Sequence, residues 1–142
     1  MEDNEVIVKC NEILDVLKSK HIREWELNRV ADAVSELSSL MVNLGQIKED
    51  AKDIRDDAEA RRKDGINQAF MKHRNSGKTG QESKILSEID NAKLIEKEKE
   101  AIKSFNRINT YYDDVSRFIS TSQSRLRTAT EDKIRSNNEW TA

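Results

Sequence analysis

The sequence predicts an all-α protein, a long helical hairpin or coiled coil with a short N-terminal helix. Apolar residues recur every three or four positions over most of the chain, which is typical of amphipathic helices. The 142 residues contain no proline and only four glycines, so little forces a helix to break. Hydrophobic residues make up 35% and charged residues 37%. That balance is thin for a compact globule but usual for long helices, and we expect one helical domain over residues 1–142.

The first predicted helix covers residues 5–17, with Asn4 as its N-cap. Its apolar side chains are spaced for one helical face. A helix of about 13 residues is marginal in water on its own. It must therefore pack on the rest of the chain or on a neighbouring subunit. The apolar face consists of Val6, Cys10, Ile13, Leu14 and Leu17.

The second predicted helix covers residues 22–71. Its apolar seam advances in steps of three and four, which is the spacing of a heptad repeat. Beyond Ala58 the seam fades and charged residues dominate. The helix either continues through Gly65 or breaks there, and both alternatives are open. The seam consists of Val30, Val34, Leu37, Met41, Leu44, Ile47, Ala51, Ile54 and Ala58.

A glycine-containing turn is predicted over residues 72–80, where Gly77 and Gly80 lie close together. A third helix is then predicted over residues 81–135, followed by a frayed tail over 136–142. This helix repeats the same apolar spacing. Its seam consists of Ile85, Ile89, Ala92, Ile95, Ile102, Phe105, Ile108, Tyr112, Val115, Ile119, Leu126 and Ala129.

More apolar residues occur than one helix pair can bury. We expect the surplus to be covered in a homo-oligomer, and we assign Val115, Ile119, Leu126 and Ala129 to the contact between subunits. The alternative is a closed three-helix monomer, in which the first helix covers the surplus. The surplus residues are Trp25, Leu27, Leu40, Leu86, Leu94, Tyr111 and Phe118.

Positive charge is concentrated in one segment, residues 61–78, which we call the basic stretch. It holds six Lys and Arg residues and one acid, whereas the chain as a whole has a formal net charge of −2. Such clustering favours an anionic partner, above all nucleic-acid phosphate. The alternative is that these cations only solvate an exposed helix end. The candidate DNA-binding cations are Arg61, Arg62, Lys63, Lys72, Arg74 and Lys78.

Phe70 lies among these cations, and we include it as a candidate for stacking on an unpaired base. It serves equally well as an apolar plug that anchors the turn. We expect the helical triplet Arg61–Lys63 to contribute more to binding than Lys72, Arg74 and Lys78. The latter lie in a turn whose ordering costs conformational entropy.

Nothing in the sequence indicates catalysis, a cofactor or a metal. Segment 75–80 contains Gly-Lys-Thr, but a phosphate-binding loop requires a glycine where Lys72 stands. No nucleophile occurs with a base and an orienting group. Cys10 is the only cysteine, which excludes an internal disulfide. The acidic N-terminus and the lack of a membrane-length apolar run favour a cytoplasmic protein with no membrane partner.

The arrangement resembles the UvsY-type recombination mediators of T-even-like bacteriophages. In that family a long helix ends in a basic K-A-R-L type stretch, and a glycine-containing turn and ring-forming helices follow. Ala60-Arg61 with Arg62-Lys63 stands in place of the basic stretch, and Arg62 replaces its leucine. Ser76-Gly77-Lys78 resembles the turn, where His73 and Arg74 replace two tyrosines. Residues 118–127 resemble the assembly region.

The resemblance implies a bacteriophage protein that acts in the cytoplasm of a bacterial host, forms an oligomeric ring and binds single-stranded DNA. It also implies contact with a single-strand-binding protein and a RecA-like recombinase, and help in loading the recombinase onto covered DNA. The competing hypothesis is a non-catalytic helical adaptor or inhibitor that acts through protein–protein contacts. Salt dependence separates the two, because phosphate binding weakens steeply with salt.

Overall fold

The computed structural model describes residues 2–19 and 27–141, with side chains described as far as residue 138. These residues form four helices and no strand, so the all-α prediction is confirmed. None of the described helices has an apolar run long enough to cross a bilayer. Assembly into a ring stays a prediction. The helices are α1 (Asp3–Lys18), α2 (Leu27–Asn75), α3 (Gly80–Asp90) and α4 (Ala92–Thr141).

Helix α2 continues through Gly65 and ends at Asn75, four residues beyond the predicted end at residue 71. The predicted start at residue 22 and the surplus residue Trp25 lie outside the described residues. Gly65 does not break the helix, because the i to i−4 hydrogen bonds need no side chain. Because Gly65 has no side chain, the returning arm can approach α2 closely at this point, and Asn91 is the residue that lies nearest to it.

The turn after α2 is a Schellman motif, which satisfies the last carbonyl groups of the helix. The backbone N–H of Lys78 donates to the His73 carbonyl at 3.2 Å, and that of Gly77 donates to the Arg74 carbonyl at 3.0 Å. Gly77 has a φ of +89°, which only glycine adopts without strain. Thr79 then caps α3, since its hydroxyl accepts a hydrogen bond from the Glu82 N–H at 3.2 Å. The residues of the turn and its immediate neighbours therefore determine its conformation.

The returning arm is two helices, in contrast to the single helix predicted over residues 81–135. The break lies at Asn91, between α3 and α4. The Asn91 side-chain amide donates to the Ser87 carbonyl at 2.8 Å and to the Gly65 carbonyl at 3.1 Å. These bonds hold the break against α2. At the other end, α4 remains helical to Thr141 because no proline or glycine interrupts it. Fraying from residue 136 was predicted there.

The helices group into two compact units, and a single domain over residues 1–142 stays a prediction. Unit 1 is Met1–Ile47 with Thr110–Ala142, and in its described part α1 packs with the adjoining parts of α2 and α4. Tyr111 donates a hydrogen bond to Asn11 at 2.6 Å, and the Lys18 ammonium lies 5.4 Å from the centre of the Phe118 ring. The core of unit 1 contains Val6, Cys10, Leu14, Leu17, Val34, Leu37, Leu40, Leu44, Val115 and Ile119.

Unit 2 is Lys48–Asn109, a hairpin of the second part of α2 with α3 and the first part of α4. On α3 the buried residues are Ser83 and Ser87, whereas Ile85 and Ile89 are 52% and 63% exposed. The predicted seam was therefore wrong on this helix. The small serine side chains let α3 lie close to its neighbours. Because the helix is interrupted at Asn91, the buried face of α3 does not have to continue the buried face of α4.

Candidate nucleic-acid interface

The three cations of the triplet Arg61–Lys63 are all paired with carboxylates. Arg61 Nε lies 2.9 Å from Asp57 Oδ2, and Lys63 Nζ lies 2.7 Å from Glu59 Oε1. Both are i,i+4 pairs on the exposed surface of α2. Such pairs stabilise a helix only slightly, but they cancel the local charge. The triplet therefore offers much less positive potential to a polyanion than the sequence indicated.

Arg62 points across the hairpin rather than outward. Its Nε is paired with Glu98 of α4, and the two side chains are only 28% and 16% exposed. A phosphate would have to displace a sheltered carboxylate to reach this guanidinium. Arg62 thus joins two helices within unit 2, and its availability for DNA is the lowest of the triplet.

The carboxyl group of Glu59, which is paired with Lys63, also reflects this cancellation of charge. The hydrogen bond and the positive charge of Lys63 hold the pKa of this carboxyl below its usual value. Glu59 is therefore ionised in the folded protein near neutral pH, and its negative charge lies beside the triplet.

The remaining cations lie at the turn of the hairpin, in residues 71–84, which we call the hairpin tip. It contains four Lys and Arg residues against a single carboxylate, that of Glu82. All four cations are exposed, and among the described residues none of them forms a salt bridge. The tip therefore combines an excess of cations over acids with the absence of salt bridges to those cations among the described residues. The four are Lys72, Arg74, Lys78 and Lys84.

The tip is held in shape by its own side chains. Arg74 Nη1 donates to the Lys78 carbonyl at 2.9 Å. His73 Nε2 lies 2.6 Å from Asp90 Oδ2 of α3, and this contact fastens the two arms below the turn. These contacts already order the turn in the folded chain, so DNA binding does not have to bear the conformational entropy cost that we assigned to it. We therefore reverse the expected ranking and place Lys72, Arg74 and Lys78 ahead of the triplet.

One side of α2 near the tip carries groups that can donate hydrogen bonds to phosphate oxygens. The amides of Asn67, Gln68 and Asn75 line a shallow concavity there with Met71, Lys72 and Ser76, and the Ser76 hydroxyl already donates to the Lys72 carbonyl at 2.9 Å. Amide and hydroxyl groups commonly contact the nucleic-acid backbone. Phe70 lies beside this row and is half-buried, so its ring is only partly available for stacking. Both roles proposed for Phe70 stay predictions.

Two features of the candidate interface were missed in the sequence, one exposed cation of the tip and the pairing of the triplet Arg61–Lys63 with acids. Lys84 is the fourth exposed cation, and its place after the predicted turn concealed it. The pairing of Arg61 and Lys63 was legible in the i,i+4 spacing from Asp57 and Glu59. The pairing of Arg62 with Glu98 had no local signal, because 36 residues separate the two.

The residues predicted for oligomerisation lie in unit 1, and they differ in accessibility. Val115 and Ile119 are buried, whereas Leu126 and Ala129 are half-buried. The first two are covered within their own chain, since α1 packs on the same part of α4. The surplus residues Leu40 and Phe118 are likewise covered in unit 1, as in the three-helix alternative. Contact between subunits through Leu126 and Ala129 stays a prediction.

Across the described residues, no group of three or more His, Cys, Asp and Glu side chains is arranged to hold a metal ion. Cys10 is buried, and burial raises the pKa of its thiol. Comparison with protein-family models, with curated proteins and with solved structures finds no match to the chain. The function must therefore be argued from the chain's own residues.

Proposed function

We propose that this protein binds single-stranded DNA, without catalysing a reaction, through the hairpin tip of unit 2. The observation that carries the proposal is the uncancelled charge of Lys72, Arg74, Lys78 and Lys84 beside a chain that is acidic overall. Exposed cations are what phosphate contacts require, and the release of counterions from DNA supplies much of the binding free energy. The neighbouring amides of Asn67 and Asn75 can add hydrogen bonds to the DNA backbone.

The tip favours the backbone over the bases. It presents no rigid set of side chains that would read base edges, and Phe70 offers at most one partly accessible ring. Binding should therefore depend little on base sequence. Affinities for homopolymer strands at one salt concentration test this, and a preference of about a hundredfold for one base would contradict it.

A single tip with four cations binds weakly, so useful affinity requires several tips acting on one strand. A homo-oligomer provides them, and the resemblance to recombination mediators suggests a ring. In that role the protein would hold single-stranded DNA, loosen a single-strand-binding protein and help a RecA-like recombinase to load. The partner proteins come from the resemblance alone.

The test compares two sets of alanine substitutions. Lys72→Ala with Lys78→Ala should weaken binding of a labelled single-stranded oligonucleotide. It should also flatten the log–log salt dependence by about 0.7 for each lost phosphate contact. The matched control is Arg61→Ala with Lys63→Ala, which removes two cations of equal charge from the same hairpin. We expect the control to change binding less, because its partners Asp57 and Glu59 already cancel those charges.

Fluorescence anisotropy across a salt series gives both the affinity and the slope. Circular dichroism should show that all variants keep their helicity, since alanine favours helices. Equal loss in the two variants, with the solution mass of both equal to that of wild type, would show that the paired triplet belongs to the site after all. Wild-type affinity and slope in the tip variant would refute the proposal.

A helical adaptor is the second candidate function, and the exposed isoleucines of α3 favour it. Ile85 and Ile89 are four residues apart on one face, with more than half of each side chain in solvent. Such a face suits an amphipathic helix of a partner protein. Binding through it would change little with salt, whereas binding through the tip would fall steeply.

A further inference from the structure

Unit 2 contains an apolar groove between α2 and α4 that no described side chain fills. The groove encloses about 390 Å³. Leu94 lines it together with four small residues, Ala51 and Ala58 on α2 and Ala101 and Ser104 on α4. In a coiled coil such positions normally carry larger side chains that interlock. Here the small side chains leave a hole between the helix backbones, which the chain's own seam cannot close.

A large apolar side chain stands exposed at the edge of the same groove. Ile54 belongs to the α2 seam and was predicted to be buried, yet 64% of it is exposed. One surface thus carries both a protruding knob, Ile54, and a hole lined by alanines. A surface with both parts is complementary to itself, and two copies related by a two-fold axis can each place Ile54 in the other's hole.

The charges on the rim of the groove also suit the pairing of two identical surfaces. Two acids, Asp57 and Glu100, and two bases, Arg61 and Lys97, surround the apolar floor. The rim has no net charge, so an identical surface can meet it with acid opposite base. A strongly acidic or basic partner would instead meet repulsion from half of the rim. The balance also disfavours nucleic acid as the occupant.

From these three observations we infer that the groove of unit 2 is a self-association site whose occupant is the same groove of a second copy. The site differs from the predicted contact at Leu126 and Ala129, which lies in unit 1. It also does not depend on nucleic-acid binding, because none of its apolar residues belongs to the hairpin tip. Two paired hairpins would bring two basic tips into one assembly.

The experiment measures the mass of the full chain by sedimentation equilibrium over a range of concentrations, without nucleic acid. Wild-type protein should show concentration-dependent association. Ile54→Asp should weaken that association by about tenfold or more, because a carboxylate cannot enter an apolar hole without a partner. Val42→Asp is the matched control, since Val42 is 76% exposed, belongs to unit 1 and does not line the groove. It should associate like wild type.

A second variant approaches the site from the opposite side. Ala58→Leu fills the hole within its own chain, so it should also weaken association, while leucine keeps helix propensity high. Circular dichroism and thermal unfolding check the fold of each variant, and Ala58→Leu alone decides the outcome if Ile54→Asp is misfolded. Wild-type protein that remains a single chain at every concentration would overturn the inference. So would association that survives both substitutions, which would place the interface elsewhere, on the C-terminal part of α4 or on the exposed face of α3.

Discussion

The same substitution, glycine to alanine, should have opposite effects at two positions of α2. In a helix interior, alanine is more favourable than glycine by about 0.5–1 kcal/mol. At Gly45 the added Cβ would lie 3.7 Å from Tyr112 Cε2, an ordinary van der Waals distance. Nothing opposes the gain there, so we expect Gly45→Ala to raise the free energy of unfolding by about 0.5–1 kcal/mol.

At Gly65 the added Cβ would collide with the returning arm. It would lie 2.5 Å from Asn91 Oδ1 and 2.9 Å from Leu94 Cδ1. Asn91 cannot simply turn away, because its amide is held by the carbonyls of Gly65 and Ser87. Overpacking costs about 1–3 kcal/mol, and each weakened hydrogen bond adds roughly 1 kcal/mol. Even after the gain in helix propensity, Gly65→Ala should lower the free energy of unfolding by about 1–3 kcal/mol.

Urea unfolding followed by circular dichroism measures both variants against wild type. A double-mutant cycle with Asn91→Ala identifies the cause, since removing the Asn91 amide should relieve much of the cost of Gly65→Ala. The remaining cost belongs to Leu94. If Gly65→Ala stabilises the protein as Gly45→Ala does, α3 and α4 do not approach α2 as closely as these distances require, and the reasoning is refuted.

Three further predictions concern the turn, the α1–α4 contact and the ion pair across the hairpin. Gly77→Ala should destabilise the folded chain by about 1–2 kcal/mol, because alanine resists a positive φ, and an unchanged urea midpoint would contradict this. Burial raises the pKa of Tyr111 to about 12, with Cys10 and Asp15 adding to the effect. Tyr111 should therefore remain neutral in the folded state after it ionises in the unfolded state, and it should contribute to a loss of stability as pH rises from about 10 to about 12. Ultraviolet titration of Tyr112→Phe, which leaves one tyrosine, checks that value, and ionisation near pH 10 in folded protein would refute it. Glu98→Gln should cost about 1–3 kcal/mol in thermal unfolding, because the pair with Arg62 is largely sheltered from solvent and the guanidinium would lose its charged partner, and a loss below about 0.5 kcal/mol would show that the pair behaves as a solvated surface salt bridge.

Local signals explain why much of the fold was predictable. The three- and four-residue spacing alone places Val34, Leu37 and Leu44 on one apolar face, and all three are buried. Gly77 marked the turn because only glycine tolerates its φ. Each of these properties depends on residues within a few positions of each other.

The candidate DNA site stays a prediction, and the structure changes which of its cations are available for binding. The basic stretch does contain most of the hairpin tip, and Lys72, Arg74 and Lys78 are exposed there. The expected dominance of Arg61–Lys63 was not supported, because acids pair with all three. A count of cations along a chain measures charge, whereas binding depends on which of those charges are cancelled in space.

The sequence by itself determined that this protein is helical, where its long helices turn and which end of the hairpin gathers positive charge. Only the tertiary structure decided which face of each helix is buried. Periodicity shows that Ile85 and Ile89 share a face, but it cannot show that Ser83 and Ser87 face the neighbouring helices instead. That choice depends on the break at Asn91 and the close approach at Gly65, which join residues 26 positions apart. The groove beside Ile54 has the same origin, because its alanines are ordinary helix residues until two backbones enclose them.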